Sequence, residues 1–351
     1  MSEWKEIELE RIVNFYNGKK RPYIKGNIPV FGGNGILDYC NSFNSQGESI
    51  IIGRVGEYCG NVNYYNGFCW ISDNAILVKA KEELNVKYLY YCLINVKLRE
   101  FQVGSSQPLI TQEILKDIII PLPPLPKQKA IAEVLSSLDD KIELLHRQNK
   151  TLEEMAMTLF RQWFIEPTKD GLPEGWEIGK FEENLKIVYG KNLPTSKLKD
   201  SGYPVFGGNG KIGYYTEYMY EESQVLISCR GEASGKVNIS DPKSYITNNS
   251  LVLERTINKN ISFEYLKYYC LNYDFTQFVT GSVQPQITIE ELNNAEILIP
   301  PSILINKFSK IISNFETKIF SNKTQIQTLE KIRDTLLPKL MSGEAKIMNN
   351  E

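Results

Sequence analysis

The sequence has few of the residues that usually build metal and nucleophile sites. Its 351 residues include one histidine, and its six cysteines are scattered without a CxxC pair. These spacings exclude the common zinc sites and favour reduced, buried thiols. No apolar run approaches the roughly 18 residues that a membrane span needs. The start, MSEWKEIELERIVNF, lacks an apolar signal-peptide core, so we expect a cytoplasmic protein.

The chain also lacks an excess of charge of either sign. Its net charge is −2, which excludes a strongly basic nucleic-acid binder. Two segments are nevertheless basic and free of acids: GKKRPYIK at 18–25 and KIVYGKNLPTSKLK at 186–199. A role in nucleic-acid binding would therefore depend on local patches.

Signatures of catalysis and nucleotide binding are incomplete. GNGKIG at 208–213 fits GxGxxG, but YYTEYMY follows it where a dinucleotide site needs a helix. GEASGK at 231–236 is one residue short of a P-loop, and Val237 stands where a hydroxyl would hold magnesium. His146 has no catalytic partner and is interpreted as a surface residue. Asp139 and Asp140 are interpreted as the solvated face of a helix.

The dominant feature is a repeat of about 175 residues. PVFGGNG occurs at 29–35 and at 204–210, and GEYCGNVN at 56–63 corresponds to GEASGKVN at 231–238. FQVGSSQPLIT at 101–111 corresponds to FVTGSVQPQIT at 278–288. A period this long indicates duplication of a whole domain, not a solenoid.

Each copy begins with about 120 residues of short strands and turns. The apolar runs at 49–54 and 223–230 predict buried strands, and the Asn-Gly pairs at 34–35 and 209–210 predict turns because both residue types tolerate positive φ. Short helices are predicted within 86–101 and 263–278. An unbroken helical pattern then follows the proline-rich segments PLPPLP and IPPS.

These helical patterns predict a coiled coil. A 3-4 spacing of mostly apolar residues runs through each, and a helix of about 30 residues would be about 45 Å long. One asparagine in each seam suits control of register, and Pro338 is expected to kink or end the second helix. The seam residues are Leu135, Leu138, Ile142, Leu145, Asn149, Leu152, Ala156, Leu159 and Trp163 in the first helix, and Ile312, Phe315, Ile319, Asn322, Ile326, Leu329, Arg333, Leu336 and Leu340 in the second.

Polar loop residues that differ between the copies are candidates for DNA contact. Arginine and lysine can bond guanine, asparagine and glutamine can bond adenine, and lysine neutralises phosphates. The first copy offers Lys19, Lys20, Arg21, Tyr23, Asn34, Arg54, Tyr58, Ser105 and Gln107. The second copy offers Lys191, Asn192, Lys197, Asn209, Lys211, Arg230, Lys236, Ser282, Gln284 and Gln286.

The arrangement resembles the specificity subunits of type I restriction-modification enzymes. The residues that carry the resemblance are PVFGGNG, IIGRVGEYCGNV, LISCRGEASGKV, GSSQPLIT, GSVQPQIT, GLPEGWE and the two helical segments. It implies two α/β (α+β) target-recognition domains, each reading one half of a split DNA site. It also implies two long helices that pair antiparallel as an intramolecular coiled coil, act as a spacer and bind two modification subunits.

The same resemblance implies a chain that catalyses nothing and holds no cofactor or metal. The partners would be double-stranded DNA, modification subunits that use S-adenosylmethionine, and restriction subunits that use ATP and Mg²⁺. The expected segments are recognition domain 1 at 1–126, the first spacer helix at 127–168, recognition domain 2 at 169–300 and the second spacer helix at 301–351. The alternatives are a two-headed scaffold on a coiled coil, which binds proteins or glycans without DNA, and a hydrolase.

Overall fold

The structure is a computed structural model that describes residues 4–81, 84–104, 107–281 and 283–347. It divides into two compact units. The first comprises Met1–His146 with Lys323–Glu351, and the second comprises Arg147–Asn322. Both division points fall inside long helices. The four segments expected from the sequence therefore follow a different division of the chain, and their boundaries remain predictions.

The elements of the first half follow a strand-rich order that ends in a long helix. In chain order they are Lys5–Glu8 (β1), Leu9–Ile12 (α1), Val13–Asn17 (β2), Lys25–Gly32 (β3), Gly35–Cys40 (β4), Glu48–Gly53 (β5), Val62–Asn66 (β6), Trp70–Ile71 (β7), Ala75–Ala80 (β8), Val86–Asn95 (α2), Gln112–Lys116 (α3), Ile119–Leu122 (β9) and Leu125–Phe160 (α4).

The described residues of the first unit contain three small sheets. The largest has the order β2-β8-β5-β6, with antiparallel neighbours throughout. The second has the order β4-β3-β7, in which β3 and β7 are parallel. Strands β1 and β9 pair separately. Strand β5 is an apolar run that is buried on both faces, because the core lies on one side of its sheet and the second sheet on the other.

Helix α2 fills the core of the first unit. Asn85 caps it by accepting a hydrogen bond from the backbone N–H of Tyr88 at 2.8 Å. The hydroxyl of Tyr88, which is fully buried, donates to the carbonyl of Pro121 at 2.7 Å and so ties the helix to β9. The helix predicted within 86–101 is thus confirmed as α2 followed by a short 3-10 turn at Leu98–Phe101.

The second half repeats this order of elements. They are Glu177–Lys180 (β10), Phe181–Asn184 (α5), Lys186–Tyr189 (β11), Tyr203–Gly207 (β12), Gly210–Tyr215 (β13), Val225–Ser228 (β14), Val237–Ile239 (β15), Tyr245–Ile246 (β16), Ser250–Glu254 (β17), Phe263–Asn272 (α6), Ile289–Asn293 (α7), Glu296–Ile299 (β18) and Ser302–Met341 (α8).

The second unit has the same sheets as the first. Its strand orders are β11-β17-β14-β15, β13-β12-β16 and β10-β18, which reproduce the first unit strand for strand. The core contains a group of aromatic rings in which Phe164 meets Tyr265 edge-on at 4.9 Å and Phe308 at 5.1 Å. The predicted duplication is therefore a duplication of topology as well as of sequence.

In the first unit, the early part of α4 packs antiparallel against the late part of α8. Ile142 and Leu145 form an apolar cluster with Ile326, while Asp139, earlier on α4, accepts a hydrogen bond from Arg333 at 2.9 Å. Asp139 also accepts from the hydroxyl of Tyr91 at 2.7 Å. The interpretation of Asp139 as a solvated residue is therefore wrong, because two side chains from other elements reach it.

In the second unit, the remaining parts of the same helices also pair antiparallel. Asn149 accepts a hydrogen bond from the amide of Asn322 at 2.8 Å, and Phe160, further along α4, meets Phe308 at 5.8 Å. Every residue predicted for the two seams is buried or half-buried in its unit. Helix α8 does not end at Pro338 but continues to Met341.

Candidate nucleic-acid interface

Three loops meet at one edge of the first unit, and we call this edge the first three-loop face. The loops are the turn Gly33–Asn34, the segment 54–61 and the described residues 102–104 and 107–110. The backbone N–H of Gly56 donates to the carbonyl of Pro108 at 3.0 Å, which joins the second and third loops. A Cβ on Gly33 would lie 3.3 Å from the Cα of Gly53 and from the Cβ of Tyr58, so the first loop packs on the second.

The second unit builds a matching second three-loop face from 208–209, 230–236 and the described residues 279–281 and 283–287. Gly231 donates its backbone N–H to the carbonyl of Pro285 at 2.9 Å, and the hydroxyl of Ser234 donates to the same carbonyl at 3.0 Å. The amide of Asn238 donates to the carbonyl of Gly208 at 3.0 Å and fixes the turn. The same backbone frame therefore presents different side chains in the two units.

The turn at the tip of each face lies one residue earlier than the sequence indicated. Gly32 pairs with Gly35 across the hairpin, so Gly33 and Asn34 form the two-residue loop. Gly35 has a φ of +90°, whereas Asn34 is not in the left-handed region. The prediction of a turn was right and its register was wrong, because the glycine that requires positive φ lies in the strand after the loop.

Four of the predicted residues lie on the first three-loop face: Asn34, Arg54, Tyr58 and Gln107. Asn34, Tyr58 and Gln107 are exposed. Arg54 is half-buried, and its Nε has no hydrogen-bond partner among the described residues. Buried polar atoms usually have partners, so Arg54 keeps donor capacity that the protein itself does not use. Ser105, the fifth candidate of these loops, lies outside the described residues.

The other candidates of the first copy lie beside strand β7. Lys19 donates its backbone N–H to the carbonyl of Ile71 at 2.9 Å. The ammonium of Lys20 lies 5.5 Å from the ring centre of Tyr23, and Arg21 approaches Asp38 at 3.9 Å. The structure thus places Lys19, Lys20, Arg21 and Tyr23 in a second group, which contacts β7 and β4 instead of the three loops.

The second copy shows the same separation. Lys191 donates its backbone N–H to Ile246, and Lys197 ends a short turn whose next residue packs on Gly213 of β13. The ammonium of Lys211 on β13 lies 3.9 Å from Asp241. The remaining candidates fall as follows: Asn209, Arg230, Lys236, Gln284 and Gln286 on the second three-loop face, Asn192 exposed beside Lys191, and Ser282 outside the described residues.

Sequence reasoning missed four polar residues that lie close to the predicted ones. Asn63 and Asn238 occupy equivalent positions, next to the glycine that follows each turn. Asp38 and Asp241 each pair with a predicted basic residue and reduce the local positive charge. Asn63 and Asn238 could have been found in the repeat, because both belong to the shared segment Val-Asn, but the two acids belong to no repeated motif.

The first three-loop face contains one buried thiol. Cys59, in the first three-loop face, is fully buried, and this burial raises the pKa of its thiol. A protonated thiol is a poor nucleophile. In the parts of the chain that the structure describes, no three His, Cys, Asp or Glu residues group as a metal site would require. Likewise, none of the described helices is long and apolar enough to cross a membrane.

Comparisons with known proteins agree across both halves of the chain. The family model for the type I restriction modification DNA specificity domain matches residues 1–154 and again 173–331. The chain is 27% identical to the MjaIX specificity subunit of a type I restriction enzyme from Methanocaldococcus jannaschii, over 99% of this chain and 97% of that protein.

Two further comparisons extend this result. A putative type I restriction enzyme specificity subunit from Haemophilus influenzae is 25% identical, over 90% of this chain and 88% of that protein. The crystal structure of a type I restriction-modification S subunit from M. genitalium superimposes with a TM-score of 0.67 at 20% identity, over 99% of this chain and 97% of the other. The last result shows a shared fold.

Proposed function

Because this chain belongs to the type I restriction modification DNA specificity domain family, we propose that it is the subunit that selects the DNA sequence for a type I restriction-modification enzyme. The family match covers both copies of the repeat. The relatives from Methanocaldococcus jannaschii and Haemophilus influenzae are named as specificity subunits, and the matches cover 97% and 88% of their lengths.

Each three-loop face reads one half of a split DNA site in this proposal. One observation carries it: the two units share a strand order and a set of loop-to-loop hydrogen bonds, yet they carry different side chains on the loops. A common frame with variable polar residues is what base readout requires, since positions come from the frame and specificity from the side chains. Different faces imply an asymmetric site.

Partner subunits supply the chemistry. Two modification subunits would bind the long helices and methylate adenine with S-adenosylmethionine, and restriction subunits with ATP and Mg²⁺ would complete the enzyme. This chain would hold no cofactor and would act in the cytoplasm, where it meets the DNA. Arg54 Nε, a donor without a hydrogen-bond partner among the described residues, supports a role in binding.

Mapping N6-methyladenine in the host genome tests the proposal. We expect that deletion of this gene removes methylation at one bipartite, asymmetric motif and that the intact gene restores it. A methylation pattern that is unchanged by deletion contradicts the proposal. Binding of the chain to a protein or glycan would then favour the scaffold alternative.

An exchange of one recognition domain sharpens the test. Replacing residues 1–120 with the equivalent part of a relative should change one half of the methylated motif and leave the other half as it was. The reciprocal exchange of the second copy is the matched control. If either exchange alters both halves, the assignment of one half-site to each unit is wrong.

A further inference from the structure

Both units place an asparagine at the tip of the same turn. Asn34 and Asn209 follow a glycine in a two-residue loop, and both side chains are exposed. The residue beside the turn differs: the repeat aligns Asn61 of the first copy with Lys236 of the second. This difference decides which hydrogen-bonding groups each asparagine offers.

In the second unit the acceptor of the asparagine is occupied. The ammonium of Lys236 donates to Asn209 Oδ1 at 2.6 Å, and the carbonyl of the preceding Gly208 accepts from Asn238 at 3.0 Å. The turn is thus fixed at two points. The amide N–H₂ of Asn209 and the other hydrogens of the ammonium remain at its tip as free donors, while one of the two lone pairs of Oδ1 is taken.

A tip whose free groups are mainly donors distinguishes purines. Guanine presents two acceptors, O6 and N7, in the major groove, whereas adenine presents the acceptor N7 beside the donor N6–H₂. Asparagine bonds adenine through its amide oxygen and nitrogen together. An ammonium next to that oxygen places positive charge where the adenine amino group would have to approach, and this repulsion opposes adenine.

In the described residues of the first unit, the turn has no counterpart of the hydrogen bond from Lys236 to Asn209. Asn34 has no hydrogen-bond partner within the described part of the chain, so its oxygen and its nitrogen are both available. Its neighbours on the face include Asn61, which is exposed and also carries one acceptor and one donor group. The two tips therefore have the same shape and different donor patterns.

We infer that Asn209 and Lys236 act as a pair that selects guanine over adenine at one position of the half-site read by the second unit. This inference rests on the proposed function and adds to it the base that one residue pair recognises. Lys236 is a specificity-determining residue because it sets the free groups of Asn209 as well as contributing its own.

Base preferences of the full chain with its methyltransferase subunit test the inference. Bound duplexes are selected from a library in which both half-sites are randomised, and each base is counted. Lys236→Asn introduces the residue of the first copy, and we expect about a tenfold loss of guanine preference at one position of one half-site. Asn61→Lys is the matched control, and it should leave that half-site unchanged. Thermal unfolding verifies that both variants fold.

Three results would overturn the inference. A uniform fall in affinity with a shallower salt dependence and unchanged base preferences would make Lys236 a phosphate contact. A guanine preference that survives both Lys236→Asn and Asn209→Ala would place the readout elsewhere. If the native complex shows no sequence preference at all, the proposed function fails together with the inference, whereas the first two results leave it standing.

Discussion

The side-chain amide of Asn322 donates a hydrogen bond to Asn149 Oδ1 at 2.8 Å, between the paired helices of the second unit. Asn322 is fully buried, and its own Oδ1 has no partner among the described residues. A polar pair inside an apolar seam costs stability, but it favours the one register and direction in which both amides meet. The pair therefore specifies how α4 and α8 align within this unit.

Single and double replacements of this pair should have different effects on the free energy of unfolding. Asn149→Leu leaves the Asn322 amide with only Gln148 Oε1 at 3.4 Å, and we expect a loss of about 1–3 kcal/mol in the free energy of unfolding. Asn149→Leu with Asn322→Leu removes both polar groups and should restore or exceed native stability. Urea unfolding of the native protein, the single variant and the double variant measures these free energies.

The exposed Gln327 provides a matched control for these replacements. Gln327→Leu places a leucine on the solvent face of the same helix and should change the free energy of unfolding by less than about 0.5 kcal/mol. If the single and double variants of the buried pair are equally unstable, the two asparagines are not energetically coupled.

Replacing Asp139 should reduce the free energy of unfolding more than replacing its neighbour Asp140. It accepts hydrogen bonds from Tyr91, which is 2% exposed, and from Arg333. Asp139→Ala leaves the tyrosine hydroxyl without this acceptor, and we expect a loss of about 1–2 kcal/mol, because the ion pair itself is partly screened by solvent. Asp140→Ala, one residue further on and exposed, should cost less than about 0.5 kcal/mol. Equal costs would contradict this assignment.

Much of the architecture could be predicted because it follows from local patterns in the sequence. The strand runs, the α2 and α6 helices and the seam all follow from periodicity within one segment, and the repeat reinforces each of them. The role of Asp139 could not be predicted, since its partner Arg333 lies 194 residues away. A charged residue on a helix surface looks the same whether or not a distant side chain reaches it.

The candidate site was predictable in composition but not in arrangement. Exposed polar loop residues were identifiable, but the contact between Gly56 and Pro108 depends on loop geometry that spacing does not reveal. The separation of Arg54 from Lys19 and Lys20 also depends on loop geometry and could not be predicted from spacing. Only the fold shows that the basic segment at 18–25 contacts β7 while the three loops meet elsewhere.

Stability should fall at alkaline pH because thiols are buried. Burial raises the pKa of Cys92 from its usual 9.0 to about 12. The folded state therefore holds this proton more tightly than the unfolded state, so the stabilisation is complete below pH 9 and is lost as the pH rises towards 12. Between pH 8 and pH 10, the native protein should lose about 1.4 kcal/mol more than Cys92→Ala does.

Urea unfolding at the two pH values measures this difference. The change between pH 8 and pH 10 is taken for each protein separately. The packing energy that Cys92→Ala loses cancels in this change, because it is the same at both pH values. Cys270, whose pKa is also raised by burial, contributes equally to both proteins. Identical pH dependence of the native and variant proteins would show that Cys92 ionises as freely in the folded state as in the unfolded one.

DNA affinity should depend on the partner subunit. The chain carries a net charge of −2, and Asp38 and Asp241 lie next to two of its candidate basic residues. Since phosphate neutralisation supplies most nonspecific affinity, we expect weak binding by this chain alone and at least about tenfold tighter binding with the methyltransferase subunit. Titration at several salt concentrations should give a steeper salt slope for the complex. Equally tight binding by the isolated chain would contradict this expectation.

Gly53, which ends β5 directly before the second loop of the first three-loop face, should not tolerate a side chain. A Cβ at this position would lie 2.2 Å from the carbonyl oxygen of Tyr58 and 2.9 Å from the Cα of Gly33, and both of these are backbone atoms that cannot rotate away. Gly53→Ala should therefore cost about 2 kcal/mol or more in the free energy of unfolding and displace the turn that carries Asn34. Base selection should weaken in one half-site only.

The second unit supplies the reciprocal variant for this test. Ser228 occupies the equivalent place, where it pairs in register with Ser250 as Gly53 pairs with Ala75. Its hydroxyl has no partner among the described residues, so Ser228→Gly removes an unsatisfied group and should cost less than about 1 kcal/mol. Similar losses in the two variants would mean that the close approach of the loops in the first unit is not what Gly53 provides.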